Sequence, residues 1–282
     1  MNRVVLITGC SSGIGLAVAR EAARAGQVVY AGLRDLASAP ELASAAGIVP
    51  LPLDVTRAAE REAVVERVVR EQGRLDVLVN NAGVALGGFL EQLDEDELRR
   101  VFDVNVFGAW AMTCAALPHL RAVRGLVVFM SSMSGRSALP GLGAYAASKF
   151  ALEALGEAWR HELAPFGVRV VLVEPGAYRT EIFGRNRRLG RRAQDAASPY
   201  ASLVTRVDDV ATRAARRLAR DPAEVARLVV SLFDVPRPRL RYPIGPGARL
   251  RSALLRLAPF WLVEAIVRRA LSPVHGRNPH RE

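Results

Sequence analysis

The chain of 282 residues contains one lysine, two cysteines and four histidines, and each scarcity excludes a class of protein. Cys10 and Cys114 lie far apart without ligand spacing, so they predict neither a disulfide framework nor a zinc site, and a reducing compartment fits best. The histidines form no cluster, and no metal site is predicted. The apolar run near the amino terminus covers only residues 4–7, too short for a signal peptide core or a membrane span. We therefore expect a cytoplasmic protein.

Acidic side chains are scarce in the last third of the chain. Residues 1–178 hold 17 basic and 19 acidic side chains, whereas residues 179–282 hold 22 basic and 9 acidic ones, so the whole net charge of +11 arises there. Such a block is typical of a solvated face, or of a surface for nucleic acid, anionic lipid or an acidic ligand. No recognition-helix or aromatic-interleaved motif accompanies it, so no nucleic acid is predicted as a partner. A solvated face and a peripheral membrane contact stay open.

Half of the residues are apolar, and they recur in short runs separated by stretches of helical periodicity. Because the runs are continuous rather than alternating, they predict parallel strands covered by helices on both faces. A further strand at 239–245 is predicted at the sheet edge, where Pro243 is tolerated. We expect one α/β domain over 1–282 with a Rossmann-like doubly wound parallel sheet of about seven strands. The other predicted strands are 3–8, 27–32, 48–53, 76–80, 126–131 and 168–174, and the predicted helices are 13–25, 57–72, 94–117 and 144–164.

The first predicted strand ends in the glycine-rich stretch TGCSSGIG, and a helix begins at once. At such a turn, glycines allow a tight bend, a close approach of the backbone to a pyrophosphate, and close packing of the helix on the strand. Gly9, Gly13 and Gly15 suit these three roles. The stretch therefore predicts a dinucleotide site.

The end of the second predicted strand bears on the type of dinucleotide. About twenty residues beyond the glycines, an acid binds the ribose 2′-hydroxyl of NAD, or an arginine binds the 2′-phosphate of NADP. Both types are present, as Arg34 and Asp35. The Arg34 guanidinium can fork onto a phosphate, aided by the hydroxyl of Ser11 or Ser12, so NADP is favoured and NAD stays the alternative.

The single lysine, Lys149, stands four residues after Tyr145 in the stretch YAASK, so both side chains project from one helix face. An ammonium beside a phenol stabilises the phenolate and lowers the pKa of the tyrosine, which makes it a usable acid or base. Ser132 ends a predicted strand and can donate to a developing alkoxide. Asn105, a polar residue in an apolar stretch, is either a satisfied buried amide or the holder of a proton-relaying water.

Together these motifs resemble the short-chain dehydrogenase/reductase family over roughly residues 3–180. TGCSSGIG, the acid after the third strand, NNAG at 80–83, YAASK, and PGAYRT at 175–180 stand in the family's order. The resemblance implies that Asn105, Ser132, Tyr145 and Lys149 form a catalytic tetrad, and that the protein is a homodimer or homotetramer. The implied cofactor contacts are Gly9, Ser11, Ser12, Gly13, Ile14, Gly15, Arg34, Asp54, Val55, Asn81, Ala82, Gly83, Tyr145, Lys149, Pro175, Gly176 and Thr180.

Within the family, the chain is similar to the branch containing 17β-hydroxysteroid and retinol dehydrogenases. The resemblance implies an NADP-dependent oxidoreductase acting on a hydrophobic secondary alcohol or ketone that is steroid-, retinoid- or long-chain-carbonyl-like. It also places a substrate lid at 177–205, whose arginines either meet an acidic substrate or are solvated. The basic extension at 246–282 contains a predicted amphipathic helix at 259–271, which packs on its own domain, on a second subunit or on a membrane surface.

Two other functions stay open. GCSSG at residues 9–13 fits the nucleophile elbow of a serine hydrolase, with Ser11 as the nucleophile, but this chemistry needs an acid and a histidine in addition. A non-catalytic NADP-binding sensor or scaffold is the second alternative, since a fold does not determine a function.

Overall fold

The structure is a computed structural model that describes residues 2–180, 182, 187–204, 206–207, 219–248 and 260–271. The strands are β1 Val4–Thr8, β2 Val28–Leu33, β3 Ile48–Pro52, β4 Val77–Asn80, β5 Ala85–Gly87, β6 Leu126–Met130, β7 Arg169–Pro175, β8 Arg187–Leu189 and β9 Arg241–Ile244. The helices are α1 Gly13–Arg24, α2 Ala58–Gln72, α3 Glu95–Phe102, α4 Ala109–Val123, α5 Gly143–Glu162, α6 Ala223–Ser231 and α7 Phe260–Leu271.

Seven of the strands form one parallel sheet in the order β3-β2-β1-β4-β6-β7-β9. Helices cover both of its faces, which confirms the predicted doubly wound Rossmann-like fold. The strand order reverses between β1 and β4, and this point places the ligand site of such a sheet. β9 lies at the edge beside β7, with Pro243 opposite Glu174, so the predicted edge strand is confirmed.

The continuous apolar runs arise because each central strand faces a hydrophobic core on both sides. In β1, Val5 and Ile7 belong to a core that includes α1 and α6. The alternate residues Val4 and Leu6 belong to a second core that includes α2, α4 and α5. Successive strand side chains point to opposite faces, so a strand buried on both faces has no polar alternation.

One predicted helix, 94–117, is interrupted. α3 ends at Phe102, a π-helical turn spans Asp103–Gly108, and α4 follows. A Cβ at Gly108 would lie 2.7 Å from Cγ2 of Val55, so the helix passes the loop after β3 very closely. The prediction of one regular helix was therefore wrong at this π-helical turn. The turn contains Asn105, whose exposure is 1%.

The stretch from Glu95 to Val123 is long and apolar enough to cross a membrane by length and composition alone. Half of the most apolar 18-residue stretch of this segment is buried inside the protein. The second core contains several α4 side chains, so the packing of a core helix accounts for its composition.

The two regions predicted as lid and extension are only partly described. The lid contributes β8, which pairs in parallel with β5 to form a small second sheet that had not been predicted. The extension contributes α7, where Arg268 donates to Glu264, four residues earlier, at 2.8 Å. Predictions that fall on residues 181, 183–186, 205, 249–259 and 272–282 lie outside the described residues.

Candidate active site

A cavity of about 720 Å³ opens at the carboxyl edge of the large sheet, where β1, β2, β4, β6 and β7 end. Ligands of open parallel sheets bind at this edge. The lining contains every predicted cofactor residue and three of the four predicted catalytic residues, but not Asn105. Residues that lie far apart in the chain are thus brought to one cavity.

The turn between β1 and α1 is built around two left-handed glycines. Gly9 has a φ of +72° and Gly13 a φ of +59°, a region that other residues rarely adopt. At Gly15 the constraint is steric rather than conformational. A Cβ at this position would lie 2.3 Å from the Gly9 carbonyl oxygen and 2.4 Å from Nδ2 of Asn81. Among the described residues, the Ser12 side chain forms no cap on α1. The first amides of α1 therefore suit a pyrophosphate at the cavity wall.

Replacing Gly15 by alanine is expected to destabilise the protein by about 1–3 kcal/mol, because an added methyl group overpacks this contact. Urea unfolding, followed by circular dichroism, measures the change. Gly176→Ala is the control, since it lines the same cavity but its added Cβ would lie 3.6 Å from the Ile244 carbonyl oxygen, an ordinary contact. Equal stabilities of the two variants would contradict the account of the turn.

Asn81 and Thr8 join the end of β4 to the glycine turn. Nδ2 of Asn81 donates to the carbonyl oxygens of Thr8 at 2.9 Å and Gly9 at 3.0 Å. Oγ1 of Thr8 accepts from the backbone amides of Asn81 at 3.0 Å and Ala82 at 2.9 Å. Asn81, predicted to border the cofactor, therefore also shapes the turn. Thr8 was missed, although a hydroxyl at the end of an apolar strand was the available signal.

The end of β2 separates the roles of Arg34 and Asp35. Arg34 lines the cavity, whereas Asp35 does not, and its carboxylate instead accepts from the Ala37 amide at 2.9 Å and caps the next turn. Asp54 lies nearby in the lining. Partial burial raises the pKa of Asp54, but hydrogen bonds from Thr56 and the charge of Arg34 lower it, and the net direction is downward. This end of the cavity therefore presents Arg34 to a ligand.

Tyr145 and Ser132 lie together in the cavity wall. Tyr145 projects from the first turn of α5, and Ser132 follows β6; both side chains are buried. Oγ of Ser132 accepts from the Ser134 amide at 3.1 Å, which fixes its position. Burial raises the pKa of Tyr145 to about 12, against a hydrogen bond with Ser132 that lowers it. The phenol is therefore protonated at neutral pH and can donate a proton.

Lys149 lies one helical turn after Tyr145 and is also buried. Its Nζ donates to the Met130 carbonyl oxygen at 2.8 Å and stands 5.8 Å from the centre of the tyrosine ring. Burial lowers the pKa of Lys149 to about 8, while the charge of Glu153 raises it. A lowered pKa of Tyr145 was expected beside this lysine, but the net direction in this structure is upward, because burial of the phenol dominates.

Asn105 is held by three hydrogen bonds of its side-chain amide. Oδ1 accepts from the Val84 amide at 2.8 Å, and Nδ2 donates to the Val84 carbonyl oxygen at 3.0 Å and to Oγ of Ser148 at 2.9 Å. These hydrogen bonds agree with the interpretation of Asn105 as a satisfied buried amide. Gly83 lies between it and Lys149, since a Cβ there would be 3.3 Å from Oδ1 and 3.7 Å from Nζ. The water relay stays a prediction.

The lid is attached to α3 by ion pairs. Nε of Arg191 donates to Asp94 at 2.9 Å, its guanidinium also contacts Asp96, and its backbone amide donates to Glu97 at 3.0 Å. Arg192 pairs with Asp94 at 3.2 Å. Arg191 and Arg192 thus pair with acids at the start of α3. Arg188 and Arg191 both line the cavity, and contact of a lid arginine with an acidic substrate stays a prediction.

The apolar part of the cavity was largely missed from the sequence. It comes from β5, α3, the turn after it, and the lid, which are remote from the recognised motifs. The apolar and aromatic side chains concerned are Leu86, Val101, Val104, Tyr178, Ile182 and Leu189.

A second groove of about 640 Å³, mostly apolar, lies between the β6–α5 loop and α7. Leu139, Tyr200 and Val267 are among its lining residues. α7 thus borders this groove, and its packing on its own domain stays a prediction. Trp261 and Leu262 remain 65% and 41% exposed, so contact with a second subunit or a membrane stays a prediction.

The serine hydrolase alternative gains no support from the geometry. Ser11 lines the cavity, but no histidine does among the described residues. His119 lies on α4 and His161 on α5, while His275 and His280 fall outside the described part of the chain.

The sequence profile of the short chain dehydrogenase family matches residues 3–189. The chain belongs to this family. Human 17-beta-hydroxysteroid dehydrogenase type 1 is 40% identical over 256 residues, which cover 85% of this chain and 76% of that protein. The NADPH-dependent 3-dehydrocapnine reductase of Ornithobacterium rhinotracheale is 32% identical over 275 residues, covering 94% and 95%.

Solved structures of short-chain dehydrogenases agree with this assignment. One from Streptomyces avermitilis superposes with a TM-score of 0.81 at 33% identity, covering 95% of each chain. One from Burkholderia phymatum, in complex with NAD, has a TM-score of 0.77 at 27% identity and covers 94% of this chain and 95% of its own. The predicted family and fold are confirmed, and a nicotinamide cofactor is supported for this short-chain dehydrogenase.

Proposed function

We propose that this short-chain dehydrogenase is NADP(H)-dependent and transfers a hydride between the nicotinamide and a hydrophobic secondary alcohol or ketone. The observation that carries the proposal is that Arg34 and the hydrogen-bonded side chains of Tyr145 and Ser132 line one cavity. The cavity thus contains a guanidinium that can bind a phosphate, from Arg34, and a phenol that can protonate a carbonyl oxygen, from Tyr145.

The preference for NADP rests on the end of β2. Arg34 faces the cavity, whereas the neighbouring acid that would bind the ribose 2′-hydroxyl of NAD caps a turn outside the lining. An arginine binds a phosphate through two parallel hydrogen bonds. The 3-dehydrocapnine reductase relative, whose name states NADPH dependence, also supports this choice.

In the reductive direction, each catalytic side chain has a defined task. A nicotinamide cofactor held by the lining residues would supply the hydride that the carbonyl carbon accepts. Ser132 donates a hydrogen bond to the carbonyl oxygen, and Tyr145 gives that oxygen its phenolic proton as the alkoxide forms. The ammonium of Lys149 then stabilises the phenolate. Because Lys149 lines the same cavity, it would also help to hold a ribose of the cofactor.

The class of substrate is proposed from the wall opposite the cofactor residues. Leu86, Val101 and Leu189 contribute apolar surface from β5, α3 and the lid. The charged residues that α3 and the lid add to the lining are Asp96, Glu97, Arg100, Arg188 and Arg191. The apolar members of this lining give a hydrophobic carbonyl compound a surface to pack against. The relative named 17-beta-hydroxysteroid dehydrogenase supports the same size and polarity, without fixing a steroid for this chain.

Replacing Arg34 by glutamine is expected to raise the Kd for NADPH by about tenfold to a hundredfold, since a hydrogen bond to a charged group contributes about 1.5–3 kcal/mol. The Kd for NADH is expected to change little. Quenching of protein fluorescence on titration with each dinucleotide measures both constants, and the ratio of the two is the quantity of interest.

Arg57→Gln is the matched control for this experiment. Arg57 also acts on the pKa of Asp54 through its charge, but it pairs with Glu60 at 3.0 Å and does not line the cavity. It should leave both constants unchanged. Equal loss of NADPH and NADH affinity in Arg34→Gln would refute the assignment of Arg34 to the 2′-phosphate.

A further inference from the structure

Glu153 is a buried carboxylate directly behind the catalytic lysine. Tyr145, Lys149 and Glu153 follow one another at intervals of four residues in α5 and therefore lie along one helix face. Glu153 is only 5% exposed. The proposed reaction assigns no task to this side chain, although burying an ionised carboxylate is costly unless it is paired.

The space for Glu153 depends on a glycine. A Cβ at Gly135 would lie 3.0 Å from Cγ of Glu153, 3.0 Å from Oγ of Ser131 and 3.1 Å from the Lys149 carbonyl oxygen. Gly135 therefore lies close to the Glu153 side chain, to the Ser131 hydroxyl and to the backbone of Lys149, and a larger residue would crowd all three. Its Oε1 is buried and has no hydrogen-bond partner among the described residues.

The other oxygen of Glu153 is held by the edge strand. Nε of Arg241, in β9, donates to Oε2 of Glu153 at 2.8 Å, and the same guanidinium contacts Glu157 one turn further along α5. Arg241 also stands 3.6 Å from Glu174 at the end of β7, and Arg136 approaches that carboxylate at 3.7 Å. Glu153 thus belongs to an alternating cluster of acids and arginines.

The charged and titratable groups of this cluster, and those on the same face of α5 as Lys149, can be named element by element. On α5 they are Tyr145 and Glu153, and on β7 and β9 they are Glu174 and Arg241. The loop after β6 adds Arg136. Of these groups, the charge of Glu153 is the one that raises the pKa of Lys149 against the effect of burial.

We propose that Glu153 is a positioning residue that keeps Lys149 charged, and that Arg241 fixes the Glu153 carboxylate for this purpose. The inference rests on the proposed function, in which the charged lysine stabilises the phenolate of Tyr145. It explains why a carboxylate is buried one turn from the catalytic lysine. It also gives the edge strand β9 a part in the active site.

The single lysine of the chain allows a direct test. Protein labelled with 13C at Cε of lysine gives one lysine resonance, whose chemical shift against pH reports the titration of Lys149 alone. In Glu153→Gln, the midpoint is expected about one pH unit lower than in the native protein, since an opposite charge favours the charged form. If this variant does not fold, Glu153→Met removes the same charge without needing a partner.

Glu157→Gln is the matched control, because it removes the other acid bound by Arg241 from a position that is 53% exposed. Its lysine midpoint should equal that of the native protein. A native midpoint in the Glu153 variants, or an equal shift in Glu157→Gln, would overturn the proposal.

Carbonyl reduction provides a second readout. At pH 6 Glu153→Gln and the native enzyme should have similar kcat values. As the pH is raised, the kcat of Glu153→Gln should begin to fall at a lower pH than the kcat of the native enzyme. Glu153→Asp, which keeps the charge, should restore the native profile. If native protein reduces no carbonyl compound, the proposed function fails while the lysine titration still decides the role of Glu153.

Discussion

Tyr145→Phe is expected to lower kcat for carbonyl reduction by about 10²–10⁴-fold, the range that positioned proton transfer contributes. The variant removes one oxygen atom and with it the only acid that the cavity places beside Ser132 among the described residues. Because burial holds the pKa of Tyr145 at about 12, the native phenol carries its proton throughout the neutral range. Initial rates of NADPH oxidation with a long-chain ketone measure the loss.

The Kd for NADPH should stay within about threefold of the native value in Tyr145→Phe, since the ring and its packing are retained. Tyr30→Phe is the control, because Tyr30 is a buried tyrosine whose hydroxyl donates to Glu71 at 2.8 Å and does not line the cavity. That variant should turn over normally. Native turnover in Tyr145→Phe would remove the tyrosine from the mechanism.

Ser132→Ala is expected to lower kcat by about 10²–10³-fold, the usual effect of deleting one donor to a developing oxyanion. In the direction of alcohol oxidation, the pH at which kcat rises should also be higher in this variant than in the native enzyme. The hydrogen bond with Ser132 lowers the pKa of Tyr145, so its loss makes the phenolate, which this direction needs, harder to form. The pH profile of kcat in both directions measures the two effects.

Ser134→Ala controls for a general disturbance of this loop. Ser134 uses its backbone amide, not its hydroxyl, to donate to Ser132, and its side chain is absent from the cavity lining. A normal kcat is expected. Equal losses in the two serine variants would show that the loop, rather than the Ser132 hydroxyl, determines the rate.

The large sheet could be predicted because its strands are buried on both faces. In β1 and β6 every residue is buried, and such runs of apolar residues are long enough to stand out between helical stretches. The three-residue strands β5 and β8 could not be predicted, since Ala85–Gly87 and Arg187–Leu189 carry no strand pattern and pair only through the folded lid.

The π turn at Asn105 was out of reach for a different reason. The periodicity of apolar residues does not reveal that one turn of a helix contains an extra residue. The contacts of Asn105 with Val84 and Ser148 join separate elements and form only in the folded protein. The glycine turn, by contrast, combines three glycines in a short local stretch, and its geometry is imposed by the backbone itself.

Motif spacing indicated which catalytic residues meet, but not their electrostatics. The sequence places Tyr145 and Lys149 on one face of α5, and the cavity contains both. Their pKa values depend on burial and on Glu153, which is in turn held by Arg241 from the far end of the chain. Contacts between such distant residues have no local signature.

The central claim is hydride transfer to a hydrophobic carbonyl compound, and deuterium transfer tests it most directly. NADPH carrying deuterium at the transferred position is incubated with native protein and with steroid, retinoid and long-chain carbonyl compounds, and the products are analysed by mass spectrometry. One deuterium is expected on the carbinol carbon of at least one product, and none with Tyr145→Phe. Binding of NADPH without deuterium in any product, and without alcohol oxidation in reverse, would contradict it and favour a sensor or scaffold.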